Sequence, residues 1–175
     1  MSALLTLSRR LKRCDDALNA AVTVACVACF VIMLLTVALQ ILSRYVLASP
    51  PFWTEELARW SMVWGGLLGA TVAFHEGADP KLYQPPLRRP WVRVAQAVAR
   101  LAGAWIFLGT VLWFSVPFLA RQAQQVSEGL GISPVWVALA VPVSAVVICL
   151  HALALALTAP FLPPPINHDP EQDLH

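Results

Sequence analysis

The sequence predicts an all-α integral membrane protein that crosses a bilayer four times, with both termini on the cytoplasmic side. Three observations predict it. The chain is 58% hydrophobic and only 13% charged, whereas soluble domains carry about 25% charged residues. Its apolar residues are gathered into long runs, and at about 20 residues per crossing a chain of 175 residues has room for four crossings and little else. Its basic residues gather on one side of those runs. A separate soluble domain does not fit, and no basic patch interleaved with aromatics marks a nucleic-acid surface.

The first 16 residues are polar and basic, with Arg9, Arg10, Lys12 and Arg13. The first span is expected over about residues 17–45, too long a run for a signal-peptide core and without a convincing cleavage site. Ser49-Pro50-Pro51 marks a turn, and proline near a helix start costs little because the first N–H groups lack intrahelical partners. The second span is expected over about 52–75. Its strongly apolar part, Trp60 to Phe74, is short, so Trp53–Arg59 either completes the crossing or lies in the interface as an arm. A Pro-rich polar loop follows, with Lys81, Arg88 and Arg89. The third span is expected over about 92–119 and the fourth over about 134–161, interrupted by Pro142. Residues 1–162 thus form one four-helix membrane domain, and 163–175 an acidic tail expected to be disordered.

Orientation follows from the placement of Lys and Arg, which the rule for membrane topology counts while largely ignoring acids. Arg9, Arg10, Lys12, Arg13, Lys81, Arg88, Arg89 and Arg93 fall on one side, against Arg44, Arg59 and Arg121 on the other. The richer side is the cytoplasmic one.

Lipid tails are as apolar as leucine, so membrane helices associate through small residues and interhelical hydrogen bonds. The second span carries Gly65, Gly69 and Ala73 at i, i+4 and i+8. The first carries Ala17, Ala21 and Ala25, and the third Ala95, Ala99 and Gly103. One stripe fits a self-contained bundle; stripes on several helices leave room for a larger membrane partner. Of the seven tryptophans, Trp53, Trp60, Trp113, Trp136 and Trp91 fall at the interfaces as an aromatic belt. Trp64 and Trp105 fall deeper and are expected to pack between helices.

Two constellations admit redox chemistry. Cys26 and Cys29 form a C-x-x-C, but inside a helix, where an i, i+3 pair usually packs; a thiol oxidase needs them at the outer face with a relay pair. His75 and His151 could be axial ligands of a haem between two spans, although an interfacial histidine and one bonded to a neighbouring helix are ordinary. No cofactor or metal and no catalytic group is expected. The more informative cluster is Arg44-Tyr45 with Trp53-Thr54-Glu55-Glu56-Leu57-Ala58-Arg59. Ionisable groups near hydrocarbon are costly and tend to be paired. Glu55 and Arg59 stand at i, i+4 in the favourable order, which leaves Glu56 to meet Arg44 across the turn.

At this cluster the sequence resembles the small membrane subunit, DctQ-like, of tripartite ATP-independent periplasmic (TRAP) transporters. The resembling residues are Arg44-Tyr45-Val46, Pro51 through Arg59, Val63-Trp64, Leu68-Gly69-Ala70 and Ala73-Phe74-His75-Glu76-Gly77-Ala78. Leu139-Ala140-Val141-Pro142-Val143 resembles the family's last-helix proline motif. The chain departs from the family at His75, where a basic residue is usual, and at Asp79-Pro80, where His and an aliphatic residue are usual. The resemblance implies a non-enzymatic subunit of the bacterial inner membrane. Its partners would be a large membrane subunit, which carries the solute and sodium sites, and a periplasmic substrate-binding protein, which delivers a solute, often a carboxylate. On that implication the bundle packs against the large subunit as a scaffold. Arg44, Tyr45, Trp53, Glu55, Glu56, Arg59, Trp64, Gly65, Gly69, Ala73 and Pro142 are then its interface and structural residues.

Overall fold

The computed structural model describes residues 2–46, 49, 51–77 and 90–158. Five helices account for nearly all of them: α1 (Ser2–Val46), α2 (Phe52–Glu76), α3 (Pro90–Gln122), α4 (Val135–Ala138) and α5 (Ala140–Thr158). No strand occurs among the described residues. The expected tail at 163–175, and the loop carrying Lys81, Arg88 and Arg89, lie outside the described residues.

The first helix departs most from expectation. It starts at Ser2 and runs for 45 residues, about 67 Å at 1.5 Å per residue, against a hydrocarbon core of about 30 Å. Its basic N-terminal third is therefore helical too. Nothing in that segment breaks a helix: Leu, Arg, Lys and Ala are all good helix formers. The second helix ends at Gly77, whose φ of 66° lets its N–H reach back to the Ala73 and Phe74 carbonyls. Such left-handed closure suits glycine, which has no Cβ to clash. The last helix is split at Leu139, three residues before Pro142. The proline ring meets the carbonyl four residues back and withholds an N–H, which bends the helix there.

Among the described residues, three segments are long and apolar enough to cross a membrane: Thr6–Val46, Val94–Gln122 and Val135–Thr158. The 25 residues of α2 have the length, since about 20 suffice, but not the sustained apolarity. Glycines, tryptophans and Glu55, Glu56 and Arg59 dilute it. Its position explains why that is tolerated. α2 packs along both α1 and α5, α1 also touches α5, and α5 in turn carries α3. α1, α2 and α5 thus meet one another and α3 is added along α5, which makes α2 and α5 the inner helices and α1 and α3 the outer ones. The two inner helices meet protein on two sides, and the two outer ones leave most of their surface open. Only 6% of the apolar window of α3 is buried.

The core is thin and lies where α1, α2 and α5 meet. Val22, Cys26, Leu68 and Val147 form it, with Leu18, Trp64 and Val72 against them. Several hydroxyls inside the spans bond back to their own helix, as Thr36 to the Ile32 carbonyl at 2.6 Å and Ser115 to that of Val111 at 2.7 Å. That satisfies them where water is absent, whereas the buried Ser144 hydroxyl has no partner among the described residues.

Candidate functional site

Three places bring chemistry-bearing residues together. The first is the seam between α1 and α2. Gly65 faces Phe30 of α1, so closely that a Cβ there would stand 3.2 Å from the ring, and Gly69 faces the Cys26 sulfur at 3.5 Å. The Cys26 thiol donates to the Gly65 carbonyl at 3.3 Å. Glycine thus lets a carbonyl be reached from the neighbouring helix, and Cys26 serves as a small side chain with one weak donor. Ala73, a turn further on, is half-buried. Cys26 and Cys29 are both free. Nothing here supports the dithiol reading.

The second place is the end of the molecule where α2 begins. Arg59 donates to Glu55 at 2.8 Å, with both side chains largely exposed. Glu56 does not turn to Arg44; among the described residues no ion pair joins them. It reaches instead into the loop between α3 and α4, 71 to 74 residues away. One carboxylate oxygen accepts from the Ser127 hydroxyl, from the Gly129 N–H at 3.1 Å and from the Leu130 N–H at 3.0 Å. The loop is shaped to do this. The Ser127 hydroxyl also takes the Leu130 N–H at 3.1 Å, the Ser127 N–H bonds the Ile132 carbonyl, and Gly131 turns with a φ of 69°. Convergent donors on an ionised acceptor are charge-assisted and stronger than neutral bonds. Gly129 is required by the approach: a Cβ would lie 2.6 Å from the Glu56 oxygen and 3.3 Å from the Phe52 carbonyl. Nearby, the Trp64 indole N–H donates to the Trp136 carbonyl at 3.1 Å, tying α2 to α4 beside the Pro142 bend. With its carboxylate held by three structural donors, Glu56 acts as a clamp.

Arg44 and Tyr45 end α1 in the open, Tyr45 82% exposed, and Trp53 is exposed beside the clamp. Trp105, expected between helices, lies on the outer face of α3 and is exposed. The reason is that, among the described residues, α3 packs chiefly along α5 and α4, with Arg100 reaching Phe74 of α2.

The third place, at the end where the chain begins, joins the two histidines that the sequence pairs to an aspartate that it does not. His75 near the end of α2 and His151 of α5 lie with ring centroids 4.8 Å apart, and both reach Asp15 of α1. His151 Nδ1 is 2.6 Å from one Asp15 oxygen, and His75 Nε2 is 3.2 Å from the other and 3.5 Å from Asp16. His151 is fully enclosed. Both rings direct a nitrogen to one carboxylate, which gives no support to a haem held between them. Asp15 lay in a segment read as a polar terminus, so only the i, i+4 continuation of the first helix could have pointed to it.

These features define a class: a helical membrane protein whose polar clusters join its own helices and whose outer helices lie open. The family follows from comparison. The family model for tripartite ATP-independent periplasmic transporters, DctQ component, matches residues 33–159, and the chain belongs to that family. No curated protein matches the sequence. The matched region contains the Glu56 clamp, Gly65 and Gly69 of the seam and both histidines, and ends one residue past α5. The family is a transporter component rather than an enzyme.

Proposed function

We propose that this chain is the non-catalytic small permease subunit of a sodium-coupled TRAP transporter, a scaffold for the large membrane subunit in binding-protein-dependent uptake of a carboxylate. In this reading α2 is the fourth crossing, both termini are cytoplasmic and the Glu56 clamp lies at the periplasmic surface of the inner membrane. There a periplasmic substrate-binding protein docks.

The observation that carries the reading is the open surface of the outer helices. Ala17, Ala21 and Ala25 of α1 are exposed, on a different side from the Val22–Cys26 core. Ala95, Ala99 and Gly103 of α3 are exposed as well, and nothing lies within 4 Å of where a Gly103 Cβ would stand. Small residues that let backbones approach therefore go unused within this chain, while those of α2 are used. An open apolar groove of about 730 Å³ runs beside Gly103 between Phe107, Phe114 and Phe118 of α3 and Val141 of α5. Both stripes suit a second, larger helical protein.

The test is co-expression of this chain with a large permease subunit and a binding protein encoded beside it. Solute uptake that requires all three components and a sodium gradient, with co-purification of the two membrane chains, is the expected result. Uptake unchanged without this chain would refute the scaffold role.

A further inference from the structure

The Asp15, His75 and His151 cluster points beyond helix packing. Each residue can offer one ligand atom, and these atoms lie within 4.8 Å of one another; the described residues contain this one group of its kind. We propose that Asp15, His75 and His151 form a binding site for a divalent transition-metal ion, zinc by donor chemistry, which ties α1, α2 and α5 together where the chain begins. The inference stands independently of the transporter reading.

The donor set selects the ion class. Two imidazole nitrogens and one carboxylate oxygen are borderline ligands that suit zinc, cobalt, nickel and copper, whereas magnesium and calcium take oxygen alone. Zinc has no d-electron demand on geometry and is commonly held by three protein groups and a water. Tetrahedral ligand atoms on zinc stand about 3.3 Å apart. The cluster's contacts of 2.6 and 3.2 Å fall below that spacing, and the widest separation among the three ligand atoms, within 4.8 Å, would close on binding.

Enclosure of the rings sets this site apart from a surface pair of side chains. His151 Nε2 and His75 Nδ1 are buried without a hydrogen-bond partner, and so is the carboxamide oxygen of Asn19, one helical turn on from Asp15. The His151 side chain is 1% exposed. The two unpartnered ring nitrogens face away from Asp15, so an ion on the Asp15 side would take His151 Nδ1 and His75 Nε2 as its ligands. Charge balance agrees. Asp16, 3.5 Å from His75 Nε2, adds a second negative charge, so two carboxylates balance a dication between two neutral rings.

The experiment uses the full chain purified in detergent through a tag without histidines, stripped with chelator and titrated with Co²⁺ and Zn²⁺. One equivalent of Co²⁺ should bind, with the visible absorption of a low-coordinate site, and Zn²⁺ should displace it. Zn²⁺ should also raise the melting temperature. His75→Gln, His151→Gln and Asp15→Asn should each weaken binding by at least about tenfold and remove the zinc-dependent melting shift. His151→Gln is the variant most exposed to misfolding; Asp15→Asn, nearly isosteric, and the wild-type stoichiometry decide the matter without it. A wild-type chain that binds less than one equivalent, or binding that survives in all the folded variants, overturns the proposal and leaves a hydrogen-bonded triad.

Discussion

At the residue scale, neighbouring glutamates of α2 have opposite weights. Glu55 pairs with Arg59 in the open, and such exposed i, i+4 pairs contribute about 0.3–0.5 kcal/mol. Glu56 holds a hydroxyl and two N–H groups of a distant loop. Removing it takes the acceptor from the Gly129 N–H and the Ser127 hydroxyl, while the Leu130 N–H keeps the Ser127 oxygen. Each donor left unsatisfied and shielded from water costs about 1–3 kcal/mol. Glu56→Ala should therefore lower the melting temperature of the detergent-purified chain by several degrees, and Glu55→Ala by almost nothing. Gly129→Ala should resemble Glu56→Ala, because the added methyl meets the carboxylate and the Phe52 backbone. Equal melting for Glu55→Ala and Glu56→Ala would show that the clamp carries no weight. The contrast also shows what the sequence displays. The Glu55–Arg59 pair follows from spacing on one helix. The Glu56 contact joins residues more than 70 positions apart, and its donors are a serine and two backbone amides, which carry no charge to search for.

At the element scale, glycines on neighbouring positions should separate. Gly65 meets Phe30, while a Cβ at Gly66 would meet no other described part of the fold within 4 Å. Gly65→Leu should loosen α1 from α2 and destabilise the isolated subunit, since a bulky side chain forces two backbones apart. Gly103→Leu should leave its folding unchanged but reduce co-purification with the large subunit. Unfolding curves and pull-down yield, measured on the same preparations, distinguish the two; a Gly103→Leu chain that still assembles at wild-type yield removes α3 from the interface. Small-residue stripes were readable in the sequence, but which stripe meets which helix was not. Periodicity marks a face, whereas the partner of that face depends on the order of packing, and that order places α5 between α2 and α3.

At the scale of the whole molecule, orientation is open to a direct test. Cys14 is exposed near the first end of α1, while Gln124 is exposed in the loop beside the clamp. With both termini cytoplasmic, an impermeant maleimide applied to intact cells should label Gln124→Cys and spare Cys14. The reverse pattern would invert the topology. The helical class and the long apolar runs were legible because lipid admits few spanning structures. The length of α1 was not, because hydropathy reports where a helix meets lipid and is silent on how far it continues into water.

The placement of α5 between α2 and α3 also sets an order in time. α1 and α2 are consecutive in the chain and adjacent in space, so they can pair as soon as both have been made. α3 is made next and has no backbone neighbour among them; the helix it packs against is the last to be synthesised. For that interval α3 stands in the membrane by itself, and chains at that stage expose the surfaces most prone to wrong association. The 127–130 loop leaves the ribosome before α5, yet its acceptor Glu56 already waits on the finished hairpin. Closing that contact would hold α3 near α2 until α5 arrives to fill the gap between them. A chain cut after Ser133 should then keep α3 beside the α1–α2 hairpin, as read by crosslinking from Arg100 to Phe74, which lie 4.8 Å apart in the finished fold. The same cut in Glu56→Ala should lose that crosslink, and a crosslink that persists there would mean that α3 waits for its partner unaided.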